Sequence, residues 1–252
     1  MYIRPEYHEN GIYHVYNRGV ARLPIFLKES DYFDFREIMR YYLIGFPKRE
    51  GSDPSQQITK RRRALDTPVS WKADPKGNGM FHHALNLLAY CLMPNHIHFL
   101  LRIRELHKGS DPPKRSDPFL LDPSHSISEF MKRLAITYAM KFNRDNQRVG
   151  PIFQGRFKIK ELDTDELVMH VARYIHLNPA MAGLVKSPEL WPWSDLDVYD
   201  NFDPLKPNTL SKPLFVLEYF DRRPADYRNF VEDQFSNRDA RIISPVAIDL
   251  DE

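Results

Sequence analysis

The stretch HALNLLAYCLMPNHIHFLLRI, residues 83–103, contains two apolar runs separated by Pro94-Asn95. Proline followed by asparagine is typical of tight turns, so the stretch predicts two neighbouring strands joined through this pair. Successive side chains of a strand point to opposite faces of the sheet, so His96 and His98 share one face while the apolar residues between and after them share the other. Two neutral imidazoles side by side form half of a metal site; they are also found as members of an ordinary hydrogen-bonded network.

The segments on either side of this strand pair predict an α+β protein. GIYHVYNRG at 11–19 is aromatic, β-branched and bounded by glycines, and GRFKIKEL at 155–162 alternates apolar residues with lysine; both patterns are typical of strands. Apolar residues at helical spacing predict one helix after residue 30 and another that opens at Ser126, with Glu129 completing a capping box. Strand, helix, strand, strand, helix, strand is the order of a ferredoxin-like βαββαβ core, an antiparallel sheet with helices on one face.

A seventh element follows this core. DELVMHVARYIHLN at 165–178 has the spacing of a helix, with Asp163 or Thr164 as its N-cap. Proline lacks a backbone N–H and its ring clashes with the preceding turn, so Pro179 is expected to end this helix at or near Asn178. The element is therefore an extra helix added to the predicted core.

Charge distribution, cysteine content and the lengths of apolar runs limit the classes of protein to which this chain can belong. The formal net charge is only +2, but residues 101–160 hold 13 Lys and Arg against 6 Asp and Glu, which suits either a phosphate-bearing polymer or a solvated surface. Cys91 is the only cysteine, so an intrachain disulfide is excluded and a thiolate metal cluster is not expected. No apolar run approaches the roughly 20 residues of a membrane span, and the first ten residues lack the apolar core of a secretion signal. We expect a cytoplasmic protein with no membrane partner.

The extra helix offers the second half of a metal site. Tyr174 and Asn178 are four residues apart, so they lie on one helical face if the helix persists to its last turn. The Asn178 amide oxygen, together with the imidazoles of His96 and His98, makes three protein ligands for a divalent ion and leaves positions for water or a phosphate oxygen. This interpretation predicts that the helix lies over the strand pair, which the spacing alone does not establish.

A tyrosine beside a divalent ion indicates a particular kind of phosphoryl chemistry. A phenol has a pKa of about 10 and is a weak nucleophile at neutral pH, but a nearby cation makes it more acidic and draws charge from the phosphoryl oxygens. A covalent phosphotyrosine conserves the energy of the phosphodiester bond for rejoining, whereas simple hydrolysis needs only water. These residues therefore favour DNA breakage and rejoining; the alternative is that Tyr174 is an ordinary half-buried helix residue.

Two separated motifs carry a resemblance to a known family. YCLMPNHIHFLL and RYIHLNPAMAGLV resemble the motifs of the HUH (His-hydrophobic-His) single-tyrosine transposases, particularly the REP-associated tyrosine transposases and their insertion-sequence relatives. The similarity extends to YHVYNRGV near the start, to FNRDNQRVGPIFQGRFK in the middle and to WPWS after the last motif. It covers most of the chain in the right order, apart from two polar insertions at about 47–80 and 105–124.

The resemblance implies a site, a cofactor and a reaction. It makes His96 and His98 metal ligands, Tyr174 the nucleophile and Asn178 a third ligand, with Mg²⁺ or Mn²⁺ bound. Members of this family cleave single-stranded DNA near a hairpin, form a 5′-phosphotyrosine and release a 3′-OH, and they occur as monomers and as homodimers. By this resemblance residues 1–185 are the transposase catalytic domain, and residues 186–252 are a C-terminal extension of helices and loops packed on it. One departure is Met181, which stands where the family usually carries a basic residue.

Five more residues are candidates for DNA contact. Arg156 has a planar guanidinium that can bind a phosphate through two hydrogen bonds. Lys158 and Lys160 form the basic face of the last strand, which is a phosphate-binding surface or a solvated one. Asn17 and Arg18, at the end of the first strand, are expected either to contact DNA or to shape the turn that follows.

Other functions are compatible with parts of this pattern. A histidine-triad nucleotide hydrolase also alternates histidine with apolar residues, but it needs a third histidine where this chain has Leu100. A regulatory protein could keep the fold, bind hairpin DNA and lack cleavage, and a structural protein would have no nucleic-acid role. His176 lies about 200° around the helix from Tyr174, so we interpret it as a structural residue or a modest DNA contact.

Overall fold

The computed structural model describes residues 7–45, 81–105, 125–205, 209–233 and 241–242. The polar insertions predicted at about 47–80 and 105–124, including the basic run KRRR at 60–63, lie outside the described residues apart from Glu105.

A four-stranded antiparallel sheet forms the centre of the described protein. Its strands are β1 (Ile12–Arg18), β2 (Leu85–Met93), β3 (His96–Ile103) and β4 (Lys158–Leu162), in the spatial order β2-β3-β1-β4. β3 pairs with β2 through the Pro94-Asn95 turn and with β1 on its other side. With the helices below, this sheet confirms the predicted α+β class.

Two long helices cover one face of the sheet, as predicted. They are α1 (Glu29–Leu43), between β1 and β2, and α2 (Ser126–Asp145), between β3 and β4. The face they cover is the apolar one, because the side chains that alternate with the two histidines of β3 point towards them. Aromatic residues dominate this core, in which the buried members from the helices and from the two central strands include Phe35, Tyr138, Phe99, Ile97 and Val15.

The extra helix, α3 (Asp165–Met181), packs on the opposite face of the sheet. Thr164 is its N-cap, as predicted, because the Thr164 hydroxyl accepts a hydrogen bond from the Leu167 N–H at 3.2 Å. The apolar residues of α3 form a second buried cluster with the sheet and with three short helices that follow, which are α4 (Leu196–Asp200), α5 (Leu214–Leu217) and α6 (Pro224–Glu232). The sheet is therefore covered on both faces, and α3 faces the histidine side of β3.

Two details at the helix ends differ from the sequence prediction. α3 does not end at Asn178 but continues through Pro179 to Met181, because a proline removes only one N–H and its carbonyl still accepts a bond, here from Leu184 N at 3.0 Å. The capping box at the start of α2 is wrong: Ser126 is already helical and His125 precedes it without a side-chain cap. Glu129 instead points along the helix to Arg133, at 2.8 Å.

A buried polar network connects α3 to the C-terminal segment. His176 Nε2 lies 3.0 Å from Asp195 Oδ1, and His176 Nδ1 lies 2.6 Å from the Tyr227 hydroxyl. The same Asp195 oxygen accepts the Tyr90 N–H of β2 at 2.7 Å. The side chains of His176, Asp195 and Tyr227 are all completely buried. These contacts join α3 to the sheet and to α6, which favours the structural interpretation of His176.

None of the helices within the described part of the chain is long and apolar enough to cross a membrane.

Candidate metal and nucleophile site

The structure brings the four residues of the predicted site together between β3 and α3. His96 Nε2 lies 3.2 Å from the Asn178 amide oxygen. The ring of Tyr174 meets the ring of His98 edge to face, with 5.5 Å between the ring centres. The two imidazoles are perpendicular to each other, 4.9 Å apart. The strand places both histidines on one face and the helix places Tyr174 and Asn178 one turn apart, so the two periodicities converge on one position.

The orientation of the His96 ring is set by the turn that precedes it. Asn95 donates from its side-chain nitrogen to the Arg22 carbonyl at 3.2 Å, which leaves its amide oxygen 2.7 Å from His96 Nδ1. An amide oxygen only accepts, so His96 must carry a proton on Nδ1. The turn itself is held by the segment after β1, since Gly19 donates its N–H to the Asn95 carbonyl at 2.7 Å.

This proton assignment makes the His96–Asn178 pair suitable for a cation. A neutral His96 with its proton on Nδ1 presents the lone pair of Nε2 to the Asn178 oxygen, and two acceptors 3.2 Å apart repel each other. Two ligands that each lie about 2.1 Å from one cation are separated by about 3.0–3.4 Å in octahedral or tetrahedral geometry. The observed spacing fits a shared divalent ion, and the residues present are compatible with the group that the resemblance implies.

Carboxylates and thiolates do not contribute to this arrangement. Within the described residues, no group of three or more His, Cys, Asp and Glu side chains could hold a metal ion. The candidate set is instead two imidazoles and an amide oxygen. Cys91 lies opposite His98 in β2, but burial raises the pKa of its thiol well above the usual value, so it stays a neutral thiol.

The basic strand lies on the same face of the sheet as the candidate site. Lys158 is paired with Tyr16 and Lys160 with His14 in the β1–β4 register, so both lysines project towards the side on which α3 packs. Both are exposed. The Lys158 ammonium lies 6.0 Å from the centre of the Tyr16 ring. These two lysines form a positive border along the site.

The other three DNA-contact candidates are placed differently. Arg18 is opposite His96 in the register, half-buried, and donates to the Gln154 side chain at 2.8 Å. Arg156 is exposed, and its guanidinium lies 3.4 Å from Ser128 of α2, away from the histidine face. Asn17 is buried, and its side chain accepts the Arg18 N–H at 2.9 Å, which favours its role in the turn. The structure therefore brings Arg18 near the site, but neither Arg156 nor Asn17.

Two residues of this cluster were not predicted from the sequence. His14 Nε2 lies 3.0 Å from His98 Nδ1, and the ring of Tyr16 lies 6.1 Å from that of His98. Both belong to β1, and the alternation in YHVY does place them on one face. Their proximity to His98 depends on β1 pairing with β3, and strand pairing is not encoded in local periodicity.

Access to the site is uneven. The side chains of Tyr174, His98 and His14 are completely buried, and Asn178 is 4% exposed. His96, at the start of β3, is partly exposed. The site therefore opens to solvent at its His96 end, and the phenol lies at the inner end.

The described chain thus defines an α+β protein with a candidate His, His, Asn and Tyr site between its sheet and an added helix. No protein-family model matches the chain. A curated protein of Haemophilus influenzae named "Putative REP-associated tyrosine transposase" is 26% identical over 115 residues, which are 45% of this chain and 60% of the relative. This similarity confirms the predicted resemblance to the REP-associated tyrosine transposases, over less than two thirds of that relative's length.

A solved structure described as "Structure of the REP associates tyrosine transposase bound to a REP hairpin" also matches. The alignment covers 77% of this chain and 82% of that chain, with 18% sequence identity and a TM-score of 0.43. A TM-score of this size is too low to establish a common fold.

Proposed function

We propose that this protein is a metal-dependent single-tyrosine DNA transposase that cleaves and rejoins single-stranded DNA beside a hairpin. The observation that carries the proposal is the convergence of four side chains on one position, with Asn178 3.2 Å from His96 and the ring of Tyr174 5.5 Å from that of His98. The similarity to a named REP-associated tyrosine transposase supports the choice of substrate class.

The proposed reaction follows from the chemistry of these groups. The Tyr174 oxygen attacks the scissile phosphorus, the bond to the 3′ oxygen breaks, and the phenol loses a proton while the leaving oxygen gains one. The products are a 5′-phosphotyrosine and a free 3′-OH, and attack by another 3′-OH reverses the step and rejoins strands. His96, His98 and Asn178 would hold Mg²⁺ or Mn²⁺, which supplies charge neutralisation at the phosphoryl oxygens. Two imidazoles favour Mn²⁺ over the oxygen-preferring Mg²⁺.

The arrangement of elements supports a ferredoxin-like core for this enzyme. Three features match those of a βαββαβ unit. The elements follow the chain order β1, α1, β2, β3, α2, β4; the strands lie in the spatial order β2-β3-β1-β4; and every strand pair is antiparallel. The four proposed site residues meet within one copy of the chain.

Covalent capture is the direct test of the proposed function. A labelled pool of palindromic single-stranded oligonucleotides is incubated with the protein and Mn²⁺, then resolved under denaturing conditions. We expect a protein band that resists boiling and detergent when the label is on the 3′ end of the oligonucleotide, and a released 5′ fragment that ends in a free 3′-OH. Retarded but uncut hairpin DNA in a native gel, with no covalent band, would contradict the proposed activity.

That contrary result would identify a second candidate function, a hairpin-binding regulatory protein without cleavage. The observation that favours it is the complete burial of Tyr174, since a phosphate must reach the phenol for cleavage. The two functions share the DNA-binding surface and differ only in whether the covalent band forms.

Replacing His96 with alanine is expected to remove cleavage and leave most of the hairpin affinity. The change deletes one imidazole of the proposed metal site but no basic group on the β4 side. Cleavage should fall at least about 100-fold, the scale of losing a group that stabilises charge in the transition state. Single-turnover cleavage and native-gel binding measure the two effects separately. His83→Ala, at an exposed histidine outside the site, is the matched control; a His96→Ala protein that cuts normally would show that the metal assignment is wrong.

Neutralising Lys158 or Lys160 is expected to weaken hairpin binding through the phosphate backbone. Each Lys→Gln change should lower the slope of log affinity against log salt by about 1. Fluorescence anisotropy at several salt concentrations measures this slope. Lys132→Gln, at an exposed lysine on α2 on the other side of the sheet, should leave the slope unchanged. Equal slopes for all three variants would place the DNA on a different surface.

A further inference from the structure

His14 is a buried neighbour of His98 that the proposed reaction has not yet used. It lies on β1 one diagonal step from His98, because the register pairs His14 with Leu100 and Tyr16 with His98. The two imidazoles are nearly coplanar, 15° apart in plane and 5.2 Å apart between centres, with His14 Nε2 and His98 Nδ1 separated by 3.0 Å. Both side chains are completely buried.

A contact between two ring nitrogens requires one proton between them. If His14 donates from Nε2, a neutral His98 carries its own proton on Nε2, and that nitrogen cannot bind a metal. If His98 donates from Nδ1, His14 accepts through Nε2 and the lone pair of His98 is on Nε2. Metal-bound histidines usually donate their other ring N–H to a neighbouring acceptor, which fixes the tautomer and the ring orientation.

We propose that His14 is a positioning residue of the metal site, which accepts the Nδ1–H of His98 and thereby leaves His98 Nε2 as the coordinating nitrogen. This inference rests on the proposed function, because it assigns His14 a role towards the cation of that site.

A corresponding hydrogen bond orients the imidazole of His96. His96 donates its Nδ1 proton to Asn95, which leaves Nε2 facing Asn178. Two neutral acceptors, one from the turn and one from β1, thus direct the two histidines in the same way. His14 also contacts the Tyr174 ring edge to face, with 6.3 Å between the centres, so it borders both the proposed ligand and the proposed nucleophile.

The inference is tested by Mn²⁺ binding in the absence of DNA, measured by isothermal titration calorimetry on the full chain. His14→Leu removes the acceptor at similar volume, and His14→Gln keeps an acceptor near the position of Nε2. We expect His14→Leu to weaken Mn²⁺ binding by about 10–100-fold, the usual effect of losing a partner of a metal ligand, and His14→Gln to recover much of that loss. Hairpin affinity without metal should be unchanged in both variants, which a general loss of structure would not allow.

Two further proteins separate the inference from the function on which it rests. His96→Ala should lose Mn²⁺ binding, and His83→Gln, at an exposed histidine, should retain it. If the unmodified protein binds Mn²⁺ and His96→Ala does not, then His14→Leu binding as tightly as the unmodified protein overturns the role of His14 alone. Equal losses in His14→Leu and His14→Gln, with hairpin binding intact, would also overturn it, because the acceptor would then be irrelevant. An unmodified protein without Mn²⁺ affinity would overturn both the inference and the proposed metal site.

Discussion

Replacing Tyr174 with phenylalanine is expected to abolish the covalent protein–DNA band and the released 5′ fragment, to the detection limit of the assay. The change removes one oxygen, which is the atom that would form the bond to phosphorus. The change preserves the aromatic ring, its edge-to-face contact with His98 and its burial between α3 and the sheet. Hairpin binding in a native gel should therefore stay within about twofold of the unmodified protein.

The control for this experiment is a tyrosine from a later segment of the chain, which contacts the first turn of α3. Tyr219 is exposed and donates to Asp165 at the start of α3, at 2.8 Å. Tyr219→Phe removes an equivalent hydroxyl but should leave the covalent band unchanged. If Tyr174→Phe still forms the band, the nucleophile is another residue, and mapping the labelled peptide would identify it.

Replacing Asp195 with alanine is expected to lower the free energy of unfolding by about 2–6 kcal/mol, because two buried N–H donors would each lose their acceptor at a cost of about 1–3 kcal/mol. The carboxylate accepts hydrogen bonds from Tyr90 N and from His176 Nε2, at 2.7 and 3.0 Å. Alanine would leave both groups buried without this acceptor, in a place that water does not reach. A neutral His176 satisfies its two contacts when Nε2–H donates to Asp195 and Nδ1 accepts from the Tyr227 hydroxyl.

Urea denaturation followed by circular dichroism measures this loss. Asp195→Asn is the matched variant: its remaining oxygen can accept both hydrogen bonds, so its loss should be clearly smaller than that of alanine. Glu232→Ala, on the exposed side of α6, should change stability by less than about 1 kcal/mol, because its pair with Arg228 is at the surface. An Asp195→Ala protein as stable as Glu232→Ala would show that the network does not hold α3 in place.

Local periodicity in the sequence was sufficient to predict those features that depend on a single strand or helix. Alternation along β3 places His96 and His98 on one face, and the helical repeat places Tyr174 one turn from Asn178. The four strands, the two helices of the first core and the added helix were all predicted from such patterns. Their convergence required one further condition, that α3 covers the histidine face, and only the three-dimensional structure shows it.

Features that depend on distant parts of the chain were not predicted. His14 becomes a neighbour of His98, 84 positions later in the sequence, because β1 pairs with β3; the predicted βαββαβ core places these strands side by side, but no sequence pattern singles out His14. Asp195 and Tyr227 meet His176 from two later segments, which no spacing near residue 176 indicates. Pro179 within α3 is a case where the local rule was overridden: the last turn persists in spite of one lost hydrogen bond, because Pro179 is buried and its carbonyl and that of Asn178 still accept from Leu184 and Ala182.

The complete burial of Tyr174 has a consequence for unintended DNA cleavage by the proposed enzyme. If Tyr174 is the nucleophile proposed above, its buried hydroxyl cannot reach DNA, and cleavage would be confined to molecules in which α3 has moved off the sheet. DNA that binds only those molecules would raise their number in proportion to its preference for them. Binding of the correct hairpin would then favour the conformation in which that hairpin is cut. A variant that loosens α3 would cut DNA more readily rather than less.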